Sequence, residues 1–248
     1  MEVIGIDVAP KRGGHVCDGK CVKYLKPAAL EKYLREELPK NVLIAWDAPL
    51  TGPRDPDKPC TNVQDLTTRK IESFFQTSKF EFKAPPGVSV LGYGSCPHWT
   101  ISRALLGLPR VGQYDAPLAG LPFELVTNDQ DRRRTGRRII EVHPAVALWL
   151  WCKADGYEGP WRYKGSKKDE TALAKLAKLM SLRLKNEKVV NADHDQLDAW
   201  TAWHLANCWL HNNGVMLLGS AQYGSFLLPH DPKLKDKFGD FVRSRVSR

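Results

Sequence analysis

The chain of 248 residues carries 37 Lys and Arg against 28 Asp and Glu, a net charge of +9, and 42% of its residues are hydrophobic. This composition excludes wholesale disorder, and no stretch approaches the roughly 20 apolar residues of a membrane-spanning helix. The six cysteines are scattered, and Met1 to Ala9 lacks a signal-peptide layout, so the expectation is a reduced, cytoplasmic protein without a membrane partner.

Glu2 to Ala9 (EVIGIDVA) is a β-branched run that ends in Asp7 and then Pro10, the pattern of a buried strand that delivers a carboxylate near its end. Asp18-Gly19-Lys20 separates two short β-like runs, His15 to Cys17 and Cys21 to Leu25. An Asp-Gly pair in that setting predicts a hairpin, so the chain opens as a three-stranded antiparallel meander. Pro27 to Leu38 has Pro at its start and apolar residues at Leu30, Tyr33, Leu34 and Leu38, a helix with one buried stripe, closed by Pro39. Asn41 to Ala48 (NVLIAWDA) is almost wholly apolar with Asp47 near its end, as a central parallel strand requires.

From about 50 to 121 Pro and Gly are frequent and sustained periods are lost, which reads as a long insertion after the fourth strand, with helices expected at Thr61 to Phe75 and His98 to Leu108. Arg137 to Val142 predicts the next strand, with Glu141 near its end, and a helix follows over Ala145 to Trp151. Lys167 to Lys185 is an amphipathic helix, Asp193 to Leu210 the final one, and about 233–248 a short, charged, loose tail. The expected architecture is one α/β domain over 1–248, a mixed five-stranded sheet with helices on both faces.

The acidic residues stand where such a fold gathers chemistry. Asp7, Asp47 and Glu141 end apolar strands, and the ends of strands in open α/β sheets converge on ligand sites. Asp195 and Asp198, three residues apart, share one helix face with Ala202, Leu205 and Trp209. Carboxylates crowded at a buried face repel one another unless a cation offsets them, and Mg²⁺ or Mn²⁺ suits hard oxygen ligands. Each Asp taken singly also has a structural explanation: Asp193 as a helix cap, Asp195 as a first-turn residue, Asp7 as a turn former. Their joint placement favours Asp7, Asp47, Asp195 and Asp198 as metal ligands.

Val3-Ile4-Gly5-Ile6-Asp7, Leu43-Ile44-Ala45-Trp46-Asp47-Ala48-Pro49, Glu141-Val142-His143-Pro144 and Asp195-Gln196-Leu197-Asp198-Ala199, in that order, resemble the blocks of the domain of unknown function 429 family, predicted nucleases with a ribonuclease-H-like fold. The last block also resembles the paired-Asp helix of Holliday-junction resolvases. The resemblance implies that Asp7 on the first strand, Asp47 on the fourth and Asp195 with Asp198 on the C-terminal helix form one metal site, with Glu141 joining as a ligand or outer acceptor. The family's Arg-x-x-Asp-x-x-x-Arg pattern is met by Asp65 and Arg69, while Asn62 replaces its first Arg.

A metal-dependent nuclease acting on DNA or RNA is the function these readings favour, with catalytic residues Asp7, Asp47, Glu141, Asp195 and Asp198 and two ions about 4 Å apart bridged by Asp7. The net positive charge makes nucleic acid the expected partner, and Arg132, Arg133, Arg134, Arg137 and Arg138 are the expected backbone-binding residues, although such a run is also a common solvated turn. Trp46, Trp149, Trp151, Trp200 and Trp203 fit core patterns, whereas Trp99 and Trp161 are candidates for stacking on bases. A non-catalytic nucleic-acid-binding protein is the main alternative. A phosphotransferase of actin or sugar-kinase type would need a second domain and glycine-rich phosphate loops, which the sequence lacks.

Overall fold

The computed structural model describes residues 1–9, 13–50, 69–76, 82–88, 90, 123–220 and 223–246. The chain opens with strands β1 (Glu2–Ala9), β2 (Gly13–Cys17) and β3 (Val22–Leu25), paired antiparallel as a meander. Helix α1 (Pro27–Lys32) starts on its proline and continues into a wider π-type turn over Tyr33–Glu37, burying Leu30 and Leu34. Strand β4 (Val42–Asp47) is buried at every position and lies parallel to β1. Helix α2 (Lys70–Gln76) precedes β5 (Glu124–Val126) and β6 (Arg137–Glu141), both parallel to the β4 direction.

Helices α3 (Pro144–Ala154), α4 (Glu170–Leu184) and α5 (His194–Leu210) follow. The chain ends in a hairpin of β7 (Val215–Ser220) and β8 (Gly224–Pro229) and in helix α6 (Pro232–Val246). The main sheet has the order β3-β2-β1-β4-β6-β5. It is thus a mixed α/β sheet, and β5 on its edge makes six strands where five were expected. The three-residue β5 is too short to leave a periodic signal, which is why the sequence does not reveal it.

Side chains alternate across the pleat, so each central strand feeds two cores. Ile4, Ile6, Ile44, Trp46 and Ile139 face α1, while Val3, Leu43, Ala45 and Ile140 face the layer that holds α3 and α5. Trp149, Trp151 and Trp200 are buried in that second core, and so is Trp161, which is therefore not a free base-stacking platform. Trp99 and the helix expected at His98 to Leu108 lie outside the described residues, as does the start of the helix expected from Thr61. The tail expected to be loose instead forms α6, because Leu234, Phe238 and Phe241 recur at helical spacing and are buried. Phe74 receives Phe238 and Phe241 edge-on, at centroid distances of 5.5 and 5.6 Å.

One close approach positions everything that follows. A Cβ on Gly5 would lie 2.3 Å from the Trp203 amide nitrogen and 2.4 Å from the Ala199 carbonyl oxygen. The backbone of α5 therefore rests directly on the middle of β1, two residues before Asp7. Gly5→Ala is expected to lift the helix and cost at least about 2 kcal/mol, within the range of overpacked cores. A urea melt compared with that of Gly239→Ala, where the backbone is not left-handed and a Cβ meets only the Arg243 guanidinium at 3.5 Å, checks whether close approach is the cause.

Candidate metal centre

Register brings the first two carboxylates together. Asp7 lies directly opposite Asp47 across the parallel β1–β4 pair, where strands run about 4.8 Å apart. Asp7 alternates with Val3 and Gly5, and Asp47 with Leu43 and Ala45, so both point to the face that α5 covers. The start of α5 is set by a capping box in which the Gln196 amide donates to the Asp193 side chain and the Asp193 amide donates to Gln196 Oε1. Five residues after that cap, on the face toward the sheet, comes Asp198, which is fully buried.

One oxygen from each of Asp7, Asp47 and Asp198 lies within 4.8 Å of the others. A second group shares Asp7: its oxygen, a His15 ring nitrogen and an oxygen of half-buried Asp195 also lie within 4.8 Å of one another. His15 stands opposite Asp7 in the antiparallel β1–β2 register. Sequence reasoning did not single it out, although a cross-strand neighbour of Asp7 was implied by the meander. The register needed to identify it depends on the chain reversal between β1 and β2.

The centre contains a cation of its own. Lys164, just before α4, forms an ion pair with Asp198 Oδ2, and the neighbouring Tyr163 hydroxyl donates to Asp198 Oδ1 at 2.7 Å. Burial disfavours the Lys164 ammonium, yet Asp198, Asp47 and Asp7 outweigh it and hold its pKa above the ordinary lysine value. Burial, then the charge of Asp198 and of the other carboxylates, raises Asp7 well above the carboxylate range against the pull of Lys164. Burial likewise raises Asp198, with Lys164 and Tyr163 opposing. Three carboxylates face one ammonium in a desolvated place, a formal surplus of negative charge that favours their protonated forms until a further cation offsets it. Hard oxygen donors with that surplus fit a divalent cation of the Mg²⁺ or Mn²⁺ type.

Glu141 does not join this group. It pairs with Trp46 across β4–β6, one residue short of the Asp47 level, and alternates with Ile139, which faces α1. Its carboxylate is instead held by Arg69, through Nη1 at 2.9 Å and Nη2 at 2.6 Å, and by the Leu50 amide at 2.9 Å. Arg69 also binds Glu72, Nε to Oε1 at 2.8 Å, and its guanidinium lies over the Phe226 ring. Arg69, the residue that fitted the family pattern, thus ties β6, α2 and the β7–β8 hairpin together; Asn62 and Asp65 lie outside the described residues. His143, beside Glu141, is buried against Phe226, and burial, with Lys164 and Arg69, lowers its pKa to about 3, so it stays neutral.

The arginine run lies at the other end of the strands. Arg137 stands opposite Val42, five residues from Asp47, a distance of about 16 Å along the strand. Arg137 donates to the Leu38 carbonyl at 2.7 Å, Arg132 to Asn212 at 2.5 Å, and Arg134 pairs with Glu124. Arg138 is fully buried and donates to the Asp131 carbonyl. Of the five, Arg133 and Arg134 are exposed. Proximity in sequence to Glu141 was misleading because the strand between them carries the chain across the whole sheet.

Comparison with protein-family models, curated proteins and solved structures returns no match for this chain.

Two stability measurements probe this electrostatic design. Removing one partner of a buried ion network strands the other, so Arg69→Met is expected to cost about 3–5 kcal/mol. Arg133→Ala should stay within about 0.5 kcal/mol, and denaturant melts compare the two. For Asp7 the raised pKa belongs to the folded state, so its protonation stabilises the fold; that contribution is complete near pH 4 and below and is lost as pH rises through the raised value. At neutral pH in EDTA, Asp7→Asn is therefore expected to stabilise the protein. Melts at several pH values should show the wild-type decline flattened in this variant.

Proposed function

We propose that the protein is a divalent-metal-dependent nuclease that hydrolyses phosphodiester bonds in DNA or RNA, built on a ribonuclease-H-like sheet. The observation that carries this reading is the convergence of Asp7, Asp47 and Asp198, buried and within 4.8 Å, from two adjacent parallel strands and the helix laid across them. The order β3-β2-β1-β4-β6, with β2 antiparallel to β1, supports the fold assignment. So do the four sequence blocks that resemble the domain of unknown function 429 family.

In this reading Asp7, Asp47 and Asp198 hold one cation, and Asp7, with His15 and Asp195, borders a second position, which keeps the expectation of two ions sharing Asp7. Bound there, a divalent ion supplies a Lewis acid for a phosphodiester oxygen and lowers the pKa of a water. The chain's own residues do the rest. Tyr163 fixes the Asp198 carboxylate, and Lys164 places a positive charge where phosphate oxygens must approach the carboxylates. Glu141, engaged by Arg69, braces the end of β6 next to Asp47 and takes no part as a ligand.

The test is cleavage of labelled single-stranded, duplex and branched oligonucleotides with Mg²⁺ or Mn²⁺. Asp7→Asn and Asp198→Asn are expected to lower the rate by about three orders of magnitude, equivalent to about 4 kcal/mol of transition-state stabilisation, while each stays folded. Unchanged turnover in either variant excludes the mechanism. Metal-independent binding without cleavage by the wild type would instead favour a non-catalytic nucleic-acid-binding protein.

A further inference from the structure

A cleft of about 610 Å³ lies between the 82–88 and 161–165 segments, and its described lining carries three cationic residues, Lys83, Arg162 and Lys164, and no acidic one. Lys164 also belongs to the metal centre, since its ammonium pairs with Asp198 while its side chain lines the cleft. Lys164 is thus the point at which the cleft and the metal centre touch. The cleft's volume falls within the range of roughly 300–1,000 Å³ seen for small-ligand sites. That is room for a splayed nucleotide rather than for a rigid duplex.

The two walls are built rather than accidental. One is the 82–88 segment, tied to α2 by the Ala84 amide donating to the Phe75 carbonyl at 2.8 Å. The other is the 161–165 segment, tied to the start of α4 by the Asp169 amide donating to the Arg162 carbonyl at 2.7 Å. They meet at Gly87, which has φ +101° and where a Cβ would lie 2.7 Å from the Arg162 amide nitrogen. Only glycine permits both the backbone conformation and the approach. Among the described residues the exposed Lys83 and Arg162 side chains have no ion-pair or hydrogen-bond partner, unlike Arg132, Arg134, Arg137 and Arg138 at the far end of the sheet. The Pro85-Pro86 stretch beside them offers apolar surface.

We propose that this cleft is the substrate channel of the centre and binds a single-stranded polynucleotide, with Lys83 and Arg162 holding phosphates next to the one presented to Asp7, Asp47 and Asp198. The assignment rests on the nuclease reading for what happens to the strand, but not for the binding itself. Cations unspent on the protein gain most from phosphate, because each contact releases condensed counterions.

Fluorescence anisotropy with a labelled mixed-sequence single-stranded oligonucleotide, in EDTA over a salt series from 50 to 200 mM, separates binding from cleavage. Lys83→Ala/Arg162→Ala is expected to weaken binding about tenfold or more and to reduce the slope of log affinity against log salt by about 1.4, two contacts at about 0.7 each. Arg133→Ala/Arg134→Ala, which removes the same charge elsewhere, should leave both nearly unchanged. Wild-type affinity in the cleft variant, or equal losses in the two variants, overturns the proposal. So does equal or tighter binding of duplex with the same dependence on Lys83 and Arg162. If the wild type binds through the cleft yet does not cleave with Mg²⁺ or Mn²⁺, the nuclease reading fails and the cleft stands. If it cleaves and the cleft variant binds and cleaves as the wild type does, the reverse holds.

Discussion

Packing a helix backbone directly onto a strand, at Gly5, is the constraint on which the rest of this structure depends. It sets Asp198 beside Asp7 and Asp47 and removes all three from water. Charges of one sign do not gather in a desolvated place for stability; the same volume filled with apolar side chains would cost less. Lys164 and Tyr163 compensate only part of the charge. A cluster of buried carboxylates with raised pKa values has the donors and the formal charge to hold a cation.

The molecule separates its charges along the strand direction. At the N-terminal end of β6, Arg132, Arg134, Arg137 and Arg138 are absorbed into the protein's own carbonyls, carboxylates and the Trp209 ring. At the opposite end, the cations of the cleft are exposed or shared with the centre. Net charge alone does not distinguish these two populations. What matters for a polyanion is which cations lack an internal partner, since those already paired gain little from exchanging one anion for another.

Arg69 and Glu141 illustrate a different economy. A fully buried guanidinium between two carboxylates, stacked on Phe226, joins parts of the chain that are remote in sequence. Ion pairs of this kind contribute little net stability relative to apolar replacements, but they tolerate few geometries. Here the geometry they enforce is the end of β6 next to Asp47, so the network holds the frame of the centre while standing outside it.

Strands β1 to β4 and β6, the paired aspartates on one helix face and the placement of carboxylates at strand ends were determined by the sequence itself, because hydrophobic period and caps act over a few residues, whereas β5 and the β7–β8 hairpin were not read from it. Asp7, Asp47, Asp195 and Asp198 were legible for that reason. Only the tertiary structure decided that Glu141 is out of phase and bound to Arg69, that the arginine run lies far from the centre, that Trp161 is buried, and that Phe238 and Phe241 of the last helix pack on Phe74. It also brought in His15, Tyr163 and Lys164, none of which belongs to a motif. These depend on strand register, on the direction in which a strand carries the chain, and on contacts between segments far apart. Local patterns carry no record of those relations.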